Sequence, residues 1–562
     1  MPESETYDVI VLGSGAAGLT AAFTAAREGA RVVVLEKHHR VGGTSAWSGG
    51  HVWIPNNPYM QDIGVPDSTE EAMAYLMSLG RGILDERLAR AFVDAGPKMV
   101  RCLGDDAGVS FFAVPGLPDY HPSNPGGKPE GGRTLGQDLF PFPTLGDWQD
   151  KVEVTPYYSP YLRMDETAIG CAVPKAPTDE EKAHRETEDL RGMGGGLVGA
   201  LLAACLRTGV EVRVSTPAHD LVVENGRVRG VVVDTTDGRR TLHASRAVIL
   251  ATGGFEWNEE YRIAFLRGHV TKPASIPTNT GDGLRMAMRA GAALQNMREA
   301  WWIPITELPE GINAMNLEMI NGDRTRPRSI MVNRTGRRFA NEAVSYNSIV
   351  GAFHQEDVTA FRYANLPAWL IFDHTYLTTY GSTGRPYTGT TPSWLVEGAT
   401  LRDLALTLGI PGDELERTVE QWNRNVAAGK DPHFARGESA HDRWWGDPYK
   451  KGSIEGTLGP ITDGPFYAME LTSGVIGTKG GPKVNEHAQV IDLDGHVITG
   501  LYAAGNVSSP TGASYGGPGG TLGPGMTFAW IAGRHAIGSG RVGSGRVDTG
   551  RVDTGRVDTG RE

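Results

Sequence analysis

The sequence predicts an α/β protein with two lobes, and three observations carry that prediction. The N-terminal stretch YDVIVLGSGAAGLTAAFTAAREGARVVVLE reads as buried strand, glycine turn, helix and second strand. Two later runs, RAVILATGGF (246–255) and GLYAAGN (500–506), are again apolar strands that end in small residues. Between about 284 and 460 no such unit recurs, and tryptophan, tyrosine and proline become frequent. Residues 1–283 with 461–540 are therefore expected to form one discontinuous lobe and 284–460 an inserted α+β lobe that caps it. The end of the chain, 541–562, is a polar five-residue repeat too short to bury a core, and is expected to be disordered.

Residues 8–12 (DVIVL) are continuously apolar after Asp8 and β-branched, as a strand covered on both faces must be. Gly13, Gly15 and Gly18 then form GxGxxG, and Ala16 and Ala17 open an alanine-rich helix. In a Rossmann-like unit the first glycine makes a tight turn and the second admits a pyrophosphate to the backbone. The third lets helix pack on strand. The helix N-terminus favours the phosphates. Glu36, eighteen residues after Gly18 at the end of RVVVLE, is placed to accept hydrogen bonds from an adenosine ribose. Residues 209–254 read as a strand meander with ENGR and TDGR turns, returning to the buried strand at 246. TNTGDGLRMAMRAGAAL (278–294) is a glycine turn followed by an amphipathic helix, and residues 103–190 are a long irregular excursion of the first lobe, of a length that is usually functional.

Composition excludes several classes. Of 562 residues 76 are glycine, roughly twice average usage, and they cluster in motifs, which points to backbone lying close against a ligand. A net charge of −12 argues against nucleic acid as a partner. Cys102, Cys171 and Cys205 are widely spaced, so neither a disulfide framework nor a metal site is expected. The acidic lead MPESETYD runs directly into a strand and no apolar run approaches the ~18 residues of a membrane span. A cytoplasmic protein is expected, and peripheral membrane contact stays open because an apolar substrate would itself favour it.

The residues after Glu36 decide which dinucleotide is expected. Lys37 precedes a second glycine motif, GGTSAWSGG, with Gly42, Gly43, Thr44, Ser45, Ser48, Gly49 and Gly50. It resembles the second flavin motif of glutathione-reductase-type FAD proteins, and Ala251, Thr252, Gly253 and Gly254 in ATGG point the same way. So do Gly281 and Asp282 in TGDG and Gly505 and Asn506 in AAGN. FAD is expected, with NAD the lesser alternative. GGTSAWSGG has no histidine where covalently flavinylated relatives attach the cofactor, so FAD is expected to be held non-covalently.

Together GSGAAG, GGTSAWSGG, TGDG, RFANEAVSY, TKGG and SYGGPGGTLGPGMTF resemble the 3-ketosteroid Δ1-dehydrogenase branch of the fumarate reductase-like FAD proteins. The resemblance implies removal of two hydrogens from carbons 1 and 2 of a steroid, beside the 3-ketone, with a small-molecule steroid and an unspecified electron acceptor, quinone or other, as partners. It implies Tyr346 as the base and Tyr515 with the Gly519 N–H as donors to the ketone oxygen. Tyr120 would support the base, and Gly520, Thr521 and Leu522 would lie along the flavin. An ordinary tyrosine, with a pKa of about 10, must be assisted to act as a base, which predicts an alkaline optimum. Where the family has alanine, this chain has Gly516, Gly520 and Gly525. Two alternatives remain within the superfamily: a Δ4-(5α) desaturase, and a soluble fumarate-type reductase, which the uncharged stretch ASYGGPGGTLGPGM disfavours. His51, His121 and the pair Trp301–Trp302 are read as packing or pocket wall.

Overall fold

The computed structural model describes residues 5–171, 176–235 and 238–538; the repeat at 541–562 lies outside them. The first strand spans Thr6–Leu12 and sits inside an eight-stranded sheet. It runs parallel to Val32–Leu35 on one side, with Val9 opposite Val32, and to Gly238–Leu250 on the other, with Val9 opposite Ala247. Glu211–Arg213 and Val497–Ala503 continue the parallel set outward. Val9, Ile10, Val11, Val33 and Val34 are wholly buried, which is why these strands read as unbroken apolar runs. The expected meander is present as antiparallel Ala218–Glu224, Arg227–Thr235 and Gly238–Leu250.

The helix Ala16–Arg27 packs against the last helix, Leu522–Gly538. Small residues set their distance: a Cβ on Gly533 would stand 2.7 Å from the Ala21 carbonyl oxygen. A Cβ on Gly505 would touch Ala17, and one on Gly525 would touch Gly505. The glycine-rich stretch before Leu522 is thereby brought beside the N-terminal glycine turn.

A second, seven-stranded sheet runs in the order Leu317–Met319, Ala300–Glu307, Phe466–Thr478, Ala368–Asp373, Ser329–Asn333, with Lys272–Pro273 and Val396–Gly398 also paired to Phe466–Thr478. Its strands therefore span more of the chain than 284–460. Phe466–Thr478 runs without a break into TKGG, so the sequence shows no turn where the chain leaves this sheet for the first lobe, which it rejoins at Gln489–Ile491. The excursion at 103–190 contributes Phe111–Pro115 and Gly131–Gln137, which form a small sheet with Val52–Trp53. No helix among the described residues is long and apolar enough to cross a membrane.

Candidate active site

One continuous cavity runs from the N-terminal glycine turn to a cluster of tyrosines between the two sheets. At its first end lie Gly13, Gly15, Glu36 and Lys37. The Glu36 carboxylate accepts from Ser14 N–H (3.0 Å) and Oγ–H (2.6 Å) and from His38 N–H (2.9 Å). Lys37 donates to Thr280 Oγ1 at 2.7 Å and pairs with Asp282 at 2.5 Å, which ties the second strand to the TGDG turn. Along the middle run Ala17, Gly43, Thr44, Ser45, Ser48, Gly49, Gly50, Ala251, Thr252, Gly253, Gly505, Asn506, Thr521 and Leu522.

Six residues of the expected cofactor set stand behind this wall. Ala16 gives its N–H to Ser45 Oγ at 3.1 Å, and Gly42 gives its own to Ser14 Oγ at 3.0 Å. A Cβ on Gly18 would lie 2.0 Å from the Gly13 carbonyl oxygen, so this glycine serves packing of helix on strand. Gly254 abuts Glu256 and Thr478, Gly281 abuts Phe255 and Tyr261, and Gly520 lies under the Tyr515 ring.

The residues present fit FAD on an observation of their own. Thr252 Oγ1, Thr521 Oγ1 and His51 Nε2 belong to side chains of the wall and are buried without a hydrogen-bond partner, and a buried polar atom left unpaired is costly. The N–H groups of Gly519, Thr521 and Leu522, where the last helix begins, also have no partner among the described residues. Such an N-terminus favours negative charge.

At the far end the rings of Tyr120, Tyr346 and Tyr515 meet edge to face, with centroids 5.0 Å (Tyr120–Tyr515), 5.5 Å (Tyr120–Tyr346) and 5.8 Å (Tyr346–Tyr515) apart. Tyr346 opens the helix Tyr346–Phe353, and its hydroxyl is hydrogen-bonded to that of Tyr515. Tyr120 touches both through its ring and is itself anchored: its N–H donates to the Gly516 carbonyl at 2.9 Å. The same carbonyl accepts from Tyr75 Oη at 2.7 Å. Next to Tyr120, the buried Asp119 accepts from Trp53 Nε1 (2.8 Å), Lys128 N–H (3.0 Å) and Arg133 Nη1 (2.9 Å). Burial raises all three phenols above the ordinary range, and the neighbouring Tyr515 raises Tyr346 further. The neighbouring Tyr120 counters this at Tyr346.

The three unexpected glycines have steric reasons. A Cβ on Gly516 would lie 2.5 Å from the Trp53 indole, one on Gly520 2.9 Å from the Tyr515 ring, and one on Gly525 3.2 Å from Gly505 Cα. Trp53 cannot yield easily, because its Nε1–H is held by Asp119 and its ring stacks on Phe92 at 6.0 Å. Gly516→Ala is accordingly expected to cost about 1–3 kcal/mol by overpacking, read as a lowered Tm of the FAD-loaded protein. An unchanged Tm would mean that Trp53 moves aside freely.

His51, read from the sequence as packing or pocket wall, lines the cavity, its ring kept neutral because burial pushes its pKa down to about 3. Sequence reasoning passed over Tyr157, Tyr158, Ile303, Met319 and Trp445, which line the same wall. The Tyr157 and Tyr158 hydroxyls are already bonded to the Ala274 and Trp47 carbonyls. The only lysine or arginine among the described lining residues is Lys37, at the opposite end.

The FAD binding domain family matches residues 8–522. The chain is 41% identical over 542 residues to the 4-oxocyclohexanecarboxylate 2-dehydrogenase of Sinomonas cyclohexanicum, covering 95% of this chain and 93% of that protein. It is 38% identical over 565 residues to the 3-oxosteroid 1-dehydrogenase of Mycolicibacterium smegmatis, covering 94% and 96%. Among solved structures it superposes with a TM-score of 0.88, at 34% identity and covering 95% and 100% of the two chains, on the 3-ketosteroid Δ1-dehydrogenase of Sterolibacterium denitrificans in complex with 1,4-androstadiene-3,17-dione. The chain belongs to the FAD binding domain family and, within it, to the 3-ketosteroid Δ1-dehydrogenase branch of FAD-dependent oxidoreductases.

Proposed function

We propose that this enzyme desaturates a 3-ketosteroid between carbons 1 and 2. The observation that carries the reading is the cluster of Tyr120, Tyr346 and Tyr515 in one cavity whose wall also includes Gly519, its N–H unpartnered among the described residues. Desaturation beside a ketone needs three things: a base for the α-proton, donors for the oxygen that becomes negative, and an acceptor for the β-hydride. In this reading Tyr346 Oη takes the proton from carbon 2, and Tyr515 Oη–H with Gly519 N–H receives the ketone oxygen as enolate charge develops. Tyr120 supports Tyr346. FAD, when bound non-covalently, supplies the hydride acceptor for carbon 1. The GSGAAG turn, Glu36, Lys37 and the GGTSAWSGG segment would hold its nucleotide end, and Thr521 and Leu522 would stand along its ring. A separate electron acceptor, quinone or other, then restores the cofactor in a cytoplasmic setting.

A second reading has its own support. The relative that acts on 4-oxocyclohexanecarboxylate is somewhat more similar than the steroid enzyme, 41% against 38% identity, and a monocyclic oxo acid needs the same polarised ketone. Against it, no lysine or arginine among the described lining residues stands at the substrate end to receive a carboxylate. The same feature disfavours the fumarate-type reading.

The test is anaerobic mixing of the yellow enzyme with 4-androstene-3,17-dione and, separately, with 4-oxocyclohexanecarboxylate. We expect the steroid to bleach the flavin and yield the 1,4-diene by mass and NMR. Hydrogens lost elsewhere on the steroid would reject this regiochemistry. No reaction with 4-androstene-3,17-dione, which already carries the 4,5 double bond, together with loss of hydrogens from carbons 4 and 5 of 5α-androstane-3,17-dione would favour the Δ4-(5α) alternative, and bleaching by the oxo acid alone would install the second reading.

A further inference from the structure

Lys479, the lysine of TKGG, is almost fully buried, at 4% exposure, and the proposed chemistry gives it no task. Its ammonium lies 4.3 Å from the centre of the Trp301 ring and 5.6 Å from that of Tyr515. Trp301 in turn packs on Tyr515 with centroids 4.6 Å apart and donates from Nε1 to Asn506 Oδ1 at 3.0 Å. The hydrogen bond of the ammonium, a long one of 3.4 Å, goes to Oδ1 of Asn347, the residue after Tyr346. One buried cation thus meets the ring of one active-site tyrosine and the chain neighbour of the other.

The charged groups around it compensate this cation only in part. Glu299 accepts the Lys479 backbone N–H through its own backbone carbonyl at 3.0 Å, and its carboxylate is shared with Arg267 at 2.7 Å. Burial pushes the Lys479 pKa down to about 8; the Glu299 carboxylate works against this, while Arg267 and Arg81 act as like charges. A cation on the face of an aromatic ring is attracted by the ring and favours negative charge nearby.

We propose that Lys479 is a positioning residue for the tyrosine pair: its ammonium, held between Trp301, Tyr515 and Asn347, favours the negative charge that the ketone oxygen shares with Tyr515 and the phenolate that forms on Tyr346. The proposal rests on the reading of Tyr346 as base and Tyr515 as donor.

Its test uses the FAD-loaded Lys479→Met and Lys479→Arg enzymes, with FAD content and Tm measured first. For Lys479→Met, kcat is expected to fall about 10- to 100-fold with KM within about threefold, because the cation acts on the charge of the transition state. Lys479→Arg is expected to restore most of kcat. In the wild type, the rise of kcat/KM with pH set by the tyrosine base is expected to flatten above pH about 8 as the ammonium loses its proton; that break should vanish in Lys479→Met and move beyond the measured range in Lys479→Arg. A second readout, flavin absorbance on titration with 1,4-androstadiene-3,17-dione, requires no turnover and should show binding weakened by no more than about threefold above the same pH, in the wild type alone. A Lys479→Met enzyme with wild-type kcat and pH profile overturns the proposal, as does a Lys479→Arg enzyme as slow as Lys479→Met. A wild type that binds the dienone with the expected pH dependence but desaturates no ketone overturns the functional reading and the part of the proposal that concerns Tyr346, and leaves supported only the effect of Lys479 through Tyr515 on a bound ketone. A wild type that binds no ketone overturns both.

Discussion

Tyr346→Phe is expected to lower kcat by about 10²–10⁴-fold while FAD content and ketone affinity stay near those of the wild type. The substitution removes one oxygen and leaves the ring, so the edge contacts with Tyr120 at 5.5 Å and Tyr515 at 5.8 Å persist. What disappears is the proton acceptor and the hydroxyl partner of Tyr515. The pH dependence identifies the role. Burial and the neighbouring Tyr515 raise the Tyr346 pKa above the ordinary tyrosine range, so its basic form is scarce at neutral pH and grows as pH rises. Wild-type kcat/KM should therefore climb on the alkaline side, and that rising limb should be lost in Tyr346→Phe. A variant turning over at the wild-type rate would move the base to another group, with Tyr120 next to be tested.

Much of this site was legible because its chemistry is local in sequence. GSGAAG, Glu36 and GGTSAWSGG lie within the first fifty residues, and each element needs only its neighbours to take shape: a buried strand, a left-handed Gly13 at φ +100°, a helix start. Gly505, Asn506 and Thr521 were legible for the same reason, as residues of a strand end or a glycine turn. The rest depends on contacts that no local pattern encodes. Tyr346 and Tyr515 are 169 positions apart and meet at their hydroxyls because the helix Tyr346–Phe353 and the loop before Leu522 face one cavity. Gly516 and Gly520 looked like surplus freedom in sequence, yet each yields its Cβ space to a particular ring, Trp53 or Tyr515. The strand Phe466–Thr478 carries no turn signal that would assign it to the second sheet, so the sheet's extent could only come from its pairing. Lys479 reads as one cation in a glycine turn, and only the packing of Trp301 and Tyr515 against it makes it part of the site.

Gly519→Ala is expected to reduce kcat by about 10²-fold or more, for reasons that separate backbone from side chain. Gly519 has φ +93°, in the left-handed region where an added Cβ costs roughly 1–2 kcal/mol. That Cβ would also stand 2.6 Å from the carbonyl carbon and oxygen of His51 and 2.7 Å from the Trp53 nitrogen. All three are backbone atoms, so no side chain can rotate to make room. The Gly519 carbonyl already accepts from Trp53 N–H at 3.1 Å and from Gly523 N–H at 2.9 Å, and the Pro518 carbonyl, which shares its peptide with the Gly519 N–H, accepts from Thr134 Oγ1 at 3.0 Å, so the peptides on both sides of Gly519 are held. Relief of the clash must shift these peptides, and with them the N–H that the proposed reading assigns to the ketone oxygen; catalytic donors lose their effect when displaced by about 1 Å. Tyr515→Phe supplies the contrast, since it removes the other donor without moving the backbone and should cost about 10²–10³-fold. If both donors serve one oxygen, the double variant should lose much less than the product of the two single losses, because neither single variant keeps a complete site. Gly519→Ala with wild-type kcat would show that this N–H does not hold the ketone, and the unpartnered amides of Thr521 and Leu522 would then be the donors to test.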